Sequence, residues 1–505
     1  MKYLSLNGVI SIFPLIASVW AQSPITTNKQ LSATNYVTCG GIKYEDNSWY
    51  NPMVRATLKA IETQSEEERD EEDSAELPLF IFHYTDILKL DGLPSIEELT
   101  DPTQPLDGVV DYENLKFNVE VNPEFKDDDT IRFLNTGFTT VGDVVEFNVT
   151  QSGIYCMYVA PHGNVEELHV DVQFQSSYGY IPYASYIKHV QSKYYVILGS
   201  IIIAYLLNYI IKFKVGSDFK DLNSVSIITK VVIFYILAPS VLISLARYVL
   251  YFVFSSFPTV SLVYDDVFNW LTACFAIVCR WFTLLFSMGY GVIYYRSSYL
   301  GPADSSYKEL PTNLWSRAYI LLLADLTSTT IFALTNSLIN SSYDGDLLFG
   351  SLNTIFSVIT SLFSLVWLIH SIISYRATKT LIEKFPPFSS VESNSELLKS
   401  FRRSILIIFV LPAVFGVILG VILGVKSAAQ MSPPEDLPLD SFHQEIASLK
   451  IFESMYFSAG QLTIAAWIGD IFVLSTVGAL FFIWIKNNYG VCRGKEADDF
   501  IIDDE

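Results

Sequence analysis

The stretch YYVILGSIIIAYLLNYIIKF, Tyr194–Phe213, decides the fold of this chain. Its one charged side chain, Lys212, lies next to its end. As an α-helix rising about 1.5 Å per residue, it crosses the roughly 30 Å hydrocarbon core of a bilayer. Six more apolar stretches follow: Val225–Phe252, Phe268–Ile293, Trp315–Asn336, Leu347–Ile373, Ile405–Val425 and Leu462–Ile485. Each reaches the roughly 20 residues that a transmembrane helix needs. Residues 194–486 therefore read as a seven-helix transmembrane bundle. Hydrophobic residues make up 51% of the 505, as so many spans require.

Upstream of the bundle the chain changes character. Between Gln22 and Lys193, 29 Asp and Glu face 11 Lys and Arg, so most of the net charge of −21 sits there. A surface this acidic excludes nucleic acid as a partner, because phosphate binding needs a basic one. Solubility is its plain meaning, and attraction of cations or basic partners the sharper one. Leu115–Val121, Val145–Val149 and Leu168–Phe174 alternate apolar and polar residues, and Ile154–Val159 is a continuous apolar run. Short strands of this kind, separated by turn residues, predict a β-sandwich over residues 22–193. Glu62–Glu76 is crowded with carboxylates, with Arg69 its one base, and reads as a solvated, disordered loop at about 62–76. Gly92–Leu106, with Pro94, Pro102 and Pro105, reads as a second loop. At the start, Lys2, the apolar Leu6–Val19 and the small residues Val19 and Ala21 predict a signal peptide over 1–21. Cleavage would fall before Gln22, with an uncleaved anchor as the alternative.

Charge bias sets the orientation. Lys and Arg cluster in the connections after the first, third and fifth stretches (Lys212, Lys214 and Lys220; Arg296, Lys308 and Arg317; Arg376 to Arg403) and in the tail 487–505. The opposite connections carry only Lys426 and Lys450. Positive-inside logic places the N-terminal domain in the lumen and the tail in the cytosol. In an oxidising lumen, Cys39 and Cys156 are expected to form a disulfide. Cys274, Cys279 and Cys492 read as free thiols, the first two buried and inert. Asn148-Val149-Thr150 and Asn340-Ser341-Ser342 are glycosylation sequons, and both fall on the lumenal side of this scheme.

Several segments then resemble one family. Ser152-Gly153-Ile154-Tyr155-Cys156-Met157-Tyr158 is similar to the final part of a Golgi-dynamics (GOLD) β-sandwich. Ser177-Tyr178-Gly179-Tyr180-Ile181-Pro182, followed by Tyr186, resembles the junction between ectodomain and membrane in the GOLD-domain seven-transmembrane, or lung seven-transmembrane receptor, family. Ser287-Met288-Gly289-Tyr290-Gly291-Val292 is similar to that family's pattern at the end of the third span. The likeness runs from about Cys39 to Ile485 and is strongest to short-tailed fungal members. It implies a non-enzymatic Golgi or endosomal membrane protein that escorts or sorts membrane cargo. It also implies a bundle like that of the Wnt-escort protein, with a lipid-accessible cavity. The implied partners are membrane lipids and membrane-protein cargo, to which the tail's own pattern adds coat or adaptor proteins. No cofactor is implied, and a bound phospholipid is compatible with the cavity.

Charged residues inside spans are costly and mark the bundle interior. Arg280 and Asp325 lie about halfway along antiparallel neighbours, so a pair near the midplane is expected. Arg247 and Asp470 lie toward the lumenal ends of the second and seventh spans, where a second cluster at shared depth is expected. His370 lies toward the cytosolic end of the fifth. Two readings remain open: charge pairs that lock helix packing, or a polar cavity for a lipid headgroup or cargo. Ion conduction, a ligand-operated receptor and a structural organiser of Golgi membranes stand as alternatives. The third span ends Tyr294-Tyr295-Arg296 and the seventh lacks Asn-Pro-x-x-Tyr, which argues against G-protein coupling. No metalloprotease, esterase or phosphate-loop motif occurs. Trp467 stands where an intramembrane aspartyl protease would need glycine ahead of Gly469-Asp470. His162 and His169 lack the cysteine partners of a zinc site. In the tail, Phe500, Ile501 and Ile502 among acidic residues resemble a sorting signal.

Overall fold

The computed structural model describes residues 28–31, 36–46, 48–63, 74–94, 108–125, 131–161, 165–212, 225–294, 310–341, 347–384, 393–430, 446, 447, 449, 450, 453, 457 and 459–486. The first 27 residues, the acidic stretch 64–73, the tail 487–505 with Phe500, Ile501 and Ile502, His162 and Cys492 lie outside them.

The N-terminal part is all-β. Its strands are β1 (Asn28–Leu31), β2 (Val37–Ile42), β3 (Met53–Thr63), β4 (Ser74–His83), β5 (Leu90–Asp91), β6 (Val110–Asp111), β7 (Lys116–Phe117), β8 (Glu120–Val121), β9 (Phe133–Thr140), β10 (Val144–Asn148), β11 (Gly153–Val159) and β12 (Val165–Gln175). Two antiparallel four-stranded sheets form, in the orders β1-β12-β3-β10 and β2-β11-β4-β9. They share one apolar core. Val54, Ala56 and Leu58 of β3 and Leu168, Val170, Val172 and Phe174 of β12 meet Leu77, Leu79 and Ile81 of β4 and Tyr155, Met157 and Val159 of β11. The period-two alternation of β12 thus has its physical cause, since one face is buried and the other is not.

β4 and β11 are buried on both faces, which explains the unbroken apolar run at Ile154–Val159. Phe80 and Phe82 of β4, with Ile154, Cys156 and Tyr158 of β11, face away from the shared core. They are covered by a 3-10 helix Tyr84–Lys89, by the small strand pairs β5-β8 and β6-β7, and by Ile446, Leu449 and Phe457 from far along the chain. Cys39 and Cys156 lie directly opposite each other on β2 and β11 and form a disulfide that closes a sequence separation of 117.

Two expectations need correction. Leu115–Val121 is not one strand. Leu115 takes a positive φ of 54°, and the segment divides into β7 and β8, which pair with β6 and β5. Both ends of the acidic stretch are ordered, because β3 runs through Glu62 to Thr63 and β4 starts at Ser74.

Long helices follow: α1 (Tyr183–Ile210), α2 (Ile227–Phe254), α3 (Pro258–Ser287), α4 (Thr312–Ser341), α5 (Leu347–Lys384), α6 (Ser393–Gln430) and α7 (Ala459–Lys486). Among the described residues, five are long and apolar enough to cross a bilayer: Tyr183–Ile210, Ile227–Phe254, Tyr264–Ser287, Thr312–Ser337 and Ser351–Lys384. The first begins well before Tyr194, so the boundary between β-domain and helices lies near residue 182 rather than 193. α2 winds wider over Val231–Leu237 before Pro239. Proline lacks the amide donor and crowds the preceding turn, and a π-type turn relieves both. One apolar cluster joins α1, α2, α6 and α7, and another joins α3, α4 and α5. The Trp484 indole donates to Ser404 Oγ at 2.9 Å and ties α7 to α6. Outward faces carry exposed Ile197, Ile201 and Tyr205 on α1, and Ile355, Leu362 and Ile369 on α5. Apolar residues at that spacing, turned outward, are suited to lipid.

Candidate functional site

A buried polar group links three helices. Asp325 on α4 is 1% exposed. Its Oδ2 accepts a hydrogen bond from the Trp367 indole on α5 at 2.7 Å and lies 3.8 Å from Arg280 Nη1 on α3. The antiparallel course of α3 and α4 brings the two charges to one depth, as their positions along the spans implied. Trp367, itself buried, is the partner that the sequence reading missed. An indole donor and a guanidinium together satisfy a carboxylate that hydrocarbon would otherwise leave unsolvated. Further along the same two helices, Thr335 Oγ1 of α4 bonds Asn353 Oδ1 of α5 at 3.3 Å.

A second polar group gathers where the β-domain joins the helices. Gln191 on α1 donates its side-chain amide to Asp470 on α7. One turn along, Tyr195 OH lies 2.9 Å from Ser240 Oγ on α2, directly after the widened turn. Arg247 on α2 reaches Phe268 O at 3.4 Å and Thr272 Oγ1 at 3.3 Å on α3, and its guanidinium lies over the Phe268 ring at 5.3 Å. Tyr264 OH donates to Arg247 O at 2.6 Å. Ser185 on α1 donates to Asp265, and Lys188 Nζ donates to Asn269 Oδ1 at 3.3 Å. The expected Arg247–Asp470 cluster is therefore looser than a pair. Each of the two makes its hydrogen bonds elsewhere.

The sequence reading missed Ser185, Lys188, Gln191 and Tyr195. The first three occupy the opening turns of α1, ahead of the apolar stretch that announced the helix, and Tyr195 is the second residue of that stretch.

The β-domain is clamped to this end of the bundle. The chain leaves β12 through a tight turn in which Ser176 and Gly179 exchange backbone hydrogen bonds at 3.0 and 2.9 Å. Gly179 has φ +104°, and a Cβ there would meet Ser255 O at 2.5 Å. Only glycine tolerates both conditions. Tyr180 N donates to Ser255 O, and Tyr251 OH on α2 donates to Tyr178 O at 2.6 Å. A stack of rings continues inward, with Tyr178 on Tyr186 at 4.2 Å and His189 on Tyr251 at 3.7 Å. The junction motif read from the sequence is thus the clamp itself. At the other end of α3, Gly291 at φ +83° lets the Ser287–Val292 turn close against Ile227 and Ile228.

A third link runs from the β-domain toward α7, the helix that carries Asp470. Tyr84 OH donates to Glu453, Phe457 packs 5.9 Å from the Tyr183 ring, and Lys43 Nζ lies 5.8 Å over Phe457. Beside Tyr84, His83 is buried, with Nδ1 2.6 Å from Thr85 Oγ1, and Lys89 pairs with Asp86 at 3.3 Å. Burial pushes the His83 imidazole down to about 4, and the Lys89 ammonium adds to the shift.

Of the remaining expected residues, Asn148 is exposed on the edge strand β10. Asn340 lies on the last turn of α4 rather than in a loop. His370 is exposed on the outside of α5, and Cys274 and Cys279 are free and only half-buried. Among the described residues no cluster of three or more His, Cys, Asp or Glu side chains is placed to hold a metal.

Fold and site together define a multi-pass membrane protein with a soluble β-domain. No protein-family model matches the chain, and no curated protein matches it in sequence.

Proposed function

We propose that the chain is a non-enzymatic trafficking factor of Golgi and endosomal membranes, of the GOLD-domain seven-transmembrane type. It escorts or sorts membrane cargo through a lipid- or cargo-accessible polar site in a seven-helix bundle, with its β-domain lumenal and its tail cytosolic. One observation carries the reading. The second polar group, from Gln191 and Asp470 to Arg247, gathers at the end of the helices to which the β-domain is clamped through Tyr178, Gly179 and Tyr251. A β-domain held this way can pass a binding event to α7 through Tyr84 and Glu453, and α7 carries Asp470.

The residues brought together favour binding over catalysis. Asp470 is held by an amide, and Arg247 by a backbone carbonyl and a hydroxyl. Hydrogen-bonding side chains at one end of an apolar bundle match the two ends of a lipid or lipid-modified cargo, one polar and one apolar.

The test is complementation. In cells lacking the chain, a subset of membrane cargo should be missorted. The wild type should restore it, while Asp470→Asn, correctly localised, should not. Full rescue by Asp470→Asn together with Gln191→Leu would remove the bundle site from the function. A tagged chain that resides outside the Golgi and endosomes would overturn the trafficking reading.

A further inference from the structure

The loop between β2 and β3 carries the most exposed aromatic ring among the described residues. Trp49 is 83% exposed, yet it is not adrift. Its neighbour Tyr50 is fastened to the turn between α2 and α3, with OH 2.7 Å from Ser256 Oγ and 3.3 Å from Ser255 Oγ. Ser48 Oγ donates to Tyr50 O at 2.7 Å and braces the loop from within. The Trp49 ring thereby sits 5.9 Å from the ring of Phe252 on the last turn of α2.

Phe252 belongs to a stripe. Leu242, Leu245, Val249, Phe252 and Val253 are all exposed on α2, at spacings of three and four residues that set them on one helix face. α2 is among the helices long and apolar enough to cross a bilayer, so this exposed stripe is suited to face lipid. Trp49 and Phe257, the latter 57% exposed, extend the stripe beyond the helix end.

We infer that Trp49 gives the β-domain a membrane-contact site, shared with Phe257 of the α2–α3 turn and seated at the headgroup–acyl boundary of the leaflet on that side. The occupant follows from continuity, because the patch prolongs a surface suited to lipid. Indole suits that depth, with an apolar ring for the acyl side and an N–H for the wet side. The contact gives the β-domain a hold on the bilayer separate from its covalent junction at residue 182. The local lipid surface thus enters the pose of the β-domain over the polar group below it.

The test uses the full chain in phosphatidylcholine nanodiscs. One set of lipids carries bromine near the ester linkage, and another carries it near the methyl end. Trp49 is one of eight tryptophans, so the spectrum of wild type minus Trp49→Phe isolates its emission. The expected difference spectrum is blue-shifted and loses more intensity to the shallow bromines than to the deep ones. A difference spectrum at the water-exposed wavelength, unquenched by either lipid, would overturn the site and leave the patch to a protein partner. Stronger quenching by deep bromines would overturn the boundary placement. If Trp49→Phe does not give a monodisperse protein, Trp49→Tyr supplies the same subtraction while keeping a polar end on the ring.

Discussion

Removing Arg280 should harm this protein more than removing Arg280 and Asp325 together. Asp325 is 1% exposed and has partners on two other helices, Arg280 at 3.8 Å and the Trp367 indole at 2.7 Å. Arg280→Gln leaves a buried carboxylate supported by the indole. Breaking a buried pair from one side costs about 3–5 kcal/mol. The long separation and the 27% exposure of the arginine side chain put this case near about 3 kcal/mol. Asp325→Asn keeps an oxygen for Trp367 and strands only the partly exposed guanidinium, for a loss of about 1–2 kcal/mol. The double variant strands no charge and should lie within about 1 kcal/mol of wild type. The assay is the thermal midpoint of detergent-solubilised protein, read by fluorescence-detected size exclusion. At about 2–4 °C per kcal/mol, Arg280→Gln should lose roughly 6–12 °C, with most of it regained in the double variant. Equal losses in both single variants and the double would refute the pair. Trp367→Phe supplies an independent arm, with a loss of about 1.5–3 kcal/mol for a hydrogen bond to a charged acceptor.

His83 makes the β-domain acid-sensitive. Its folded pKa, about 4, lies below the unfolded value, so the neutral ring stabilises the fold fully above about pH 6.5. That contribution, up to about 3 kcal/mol, is lost as pH falls from about 6.5 toward 4, and His83→Phe should flatten the loss in melting experiments across that range. Gly179→Ala should destabilise the junction by more than Gly142→Ala. Both positions have φ near +100°, but only Gly179 has an oxygen, Ser255 O, where the methyl would go. Comparing their thermal midpoints separates the clash from the backbone strain, and equal midpoints would refute the clash. Cys39→Ser with Cys156→Ser should cost the β-domain up to about 4–5 kcal/mol, the chain-entropy ceiling for so long a loop, seen as protease sensitivity under non-reducing conditions.

What the sequence made legible follows from which forces are periodic. Leu168, Val170, Val172 and Phe174 announce β12 because one face of that strand is buried and the other is not. Ile154–Val159 hides its period because β11 is covered on both sides, and nothing local says that Ile446, Leu449 and Phe457 do part of the covering. Leu115–Val121 alternates but is broken at Asn118–Val119 into β7 and β8, each paired with a different short strand, and it starts from a positive φ at Leu115 that hydropathy cannot show.

Arg280 and Asp325 could be matched by depth alone, since a bilayer turns position along a span into a coordinate. Trp367 could not, because a tryptophan in a span reads as apolar filler until its N–H is seen. Gln191 escaped for a different reason. Hydropathy marks where a helix enters hydrocarbon, whereas α1 starts at Tyr183 with several polar turns still to come. Without Gln191, Arg247 is the natural partner for Asp470.

The central claim is that the polar group around Gln191, Tyr195 and Asp470 receives a lipid or membrane cargo. It is tested most directly by placing a photo-crosslinking amino acid at Tyr195 and irradiating the full chain in native membranes. A discrete adduct with a lipid or a second membrane protein is expected, strongly reduced by Asp470→Asn in protein that still folds. Adducts confined to the chain's own α2 and α7, and unchanged by Asp470→Asn, would contradict it.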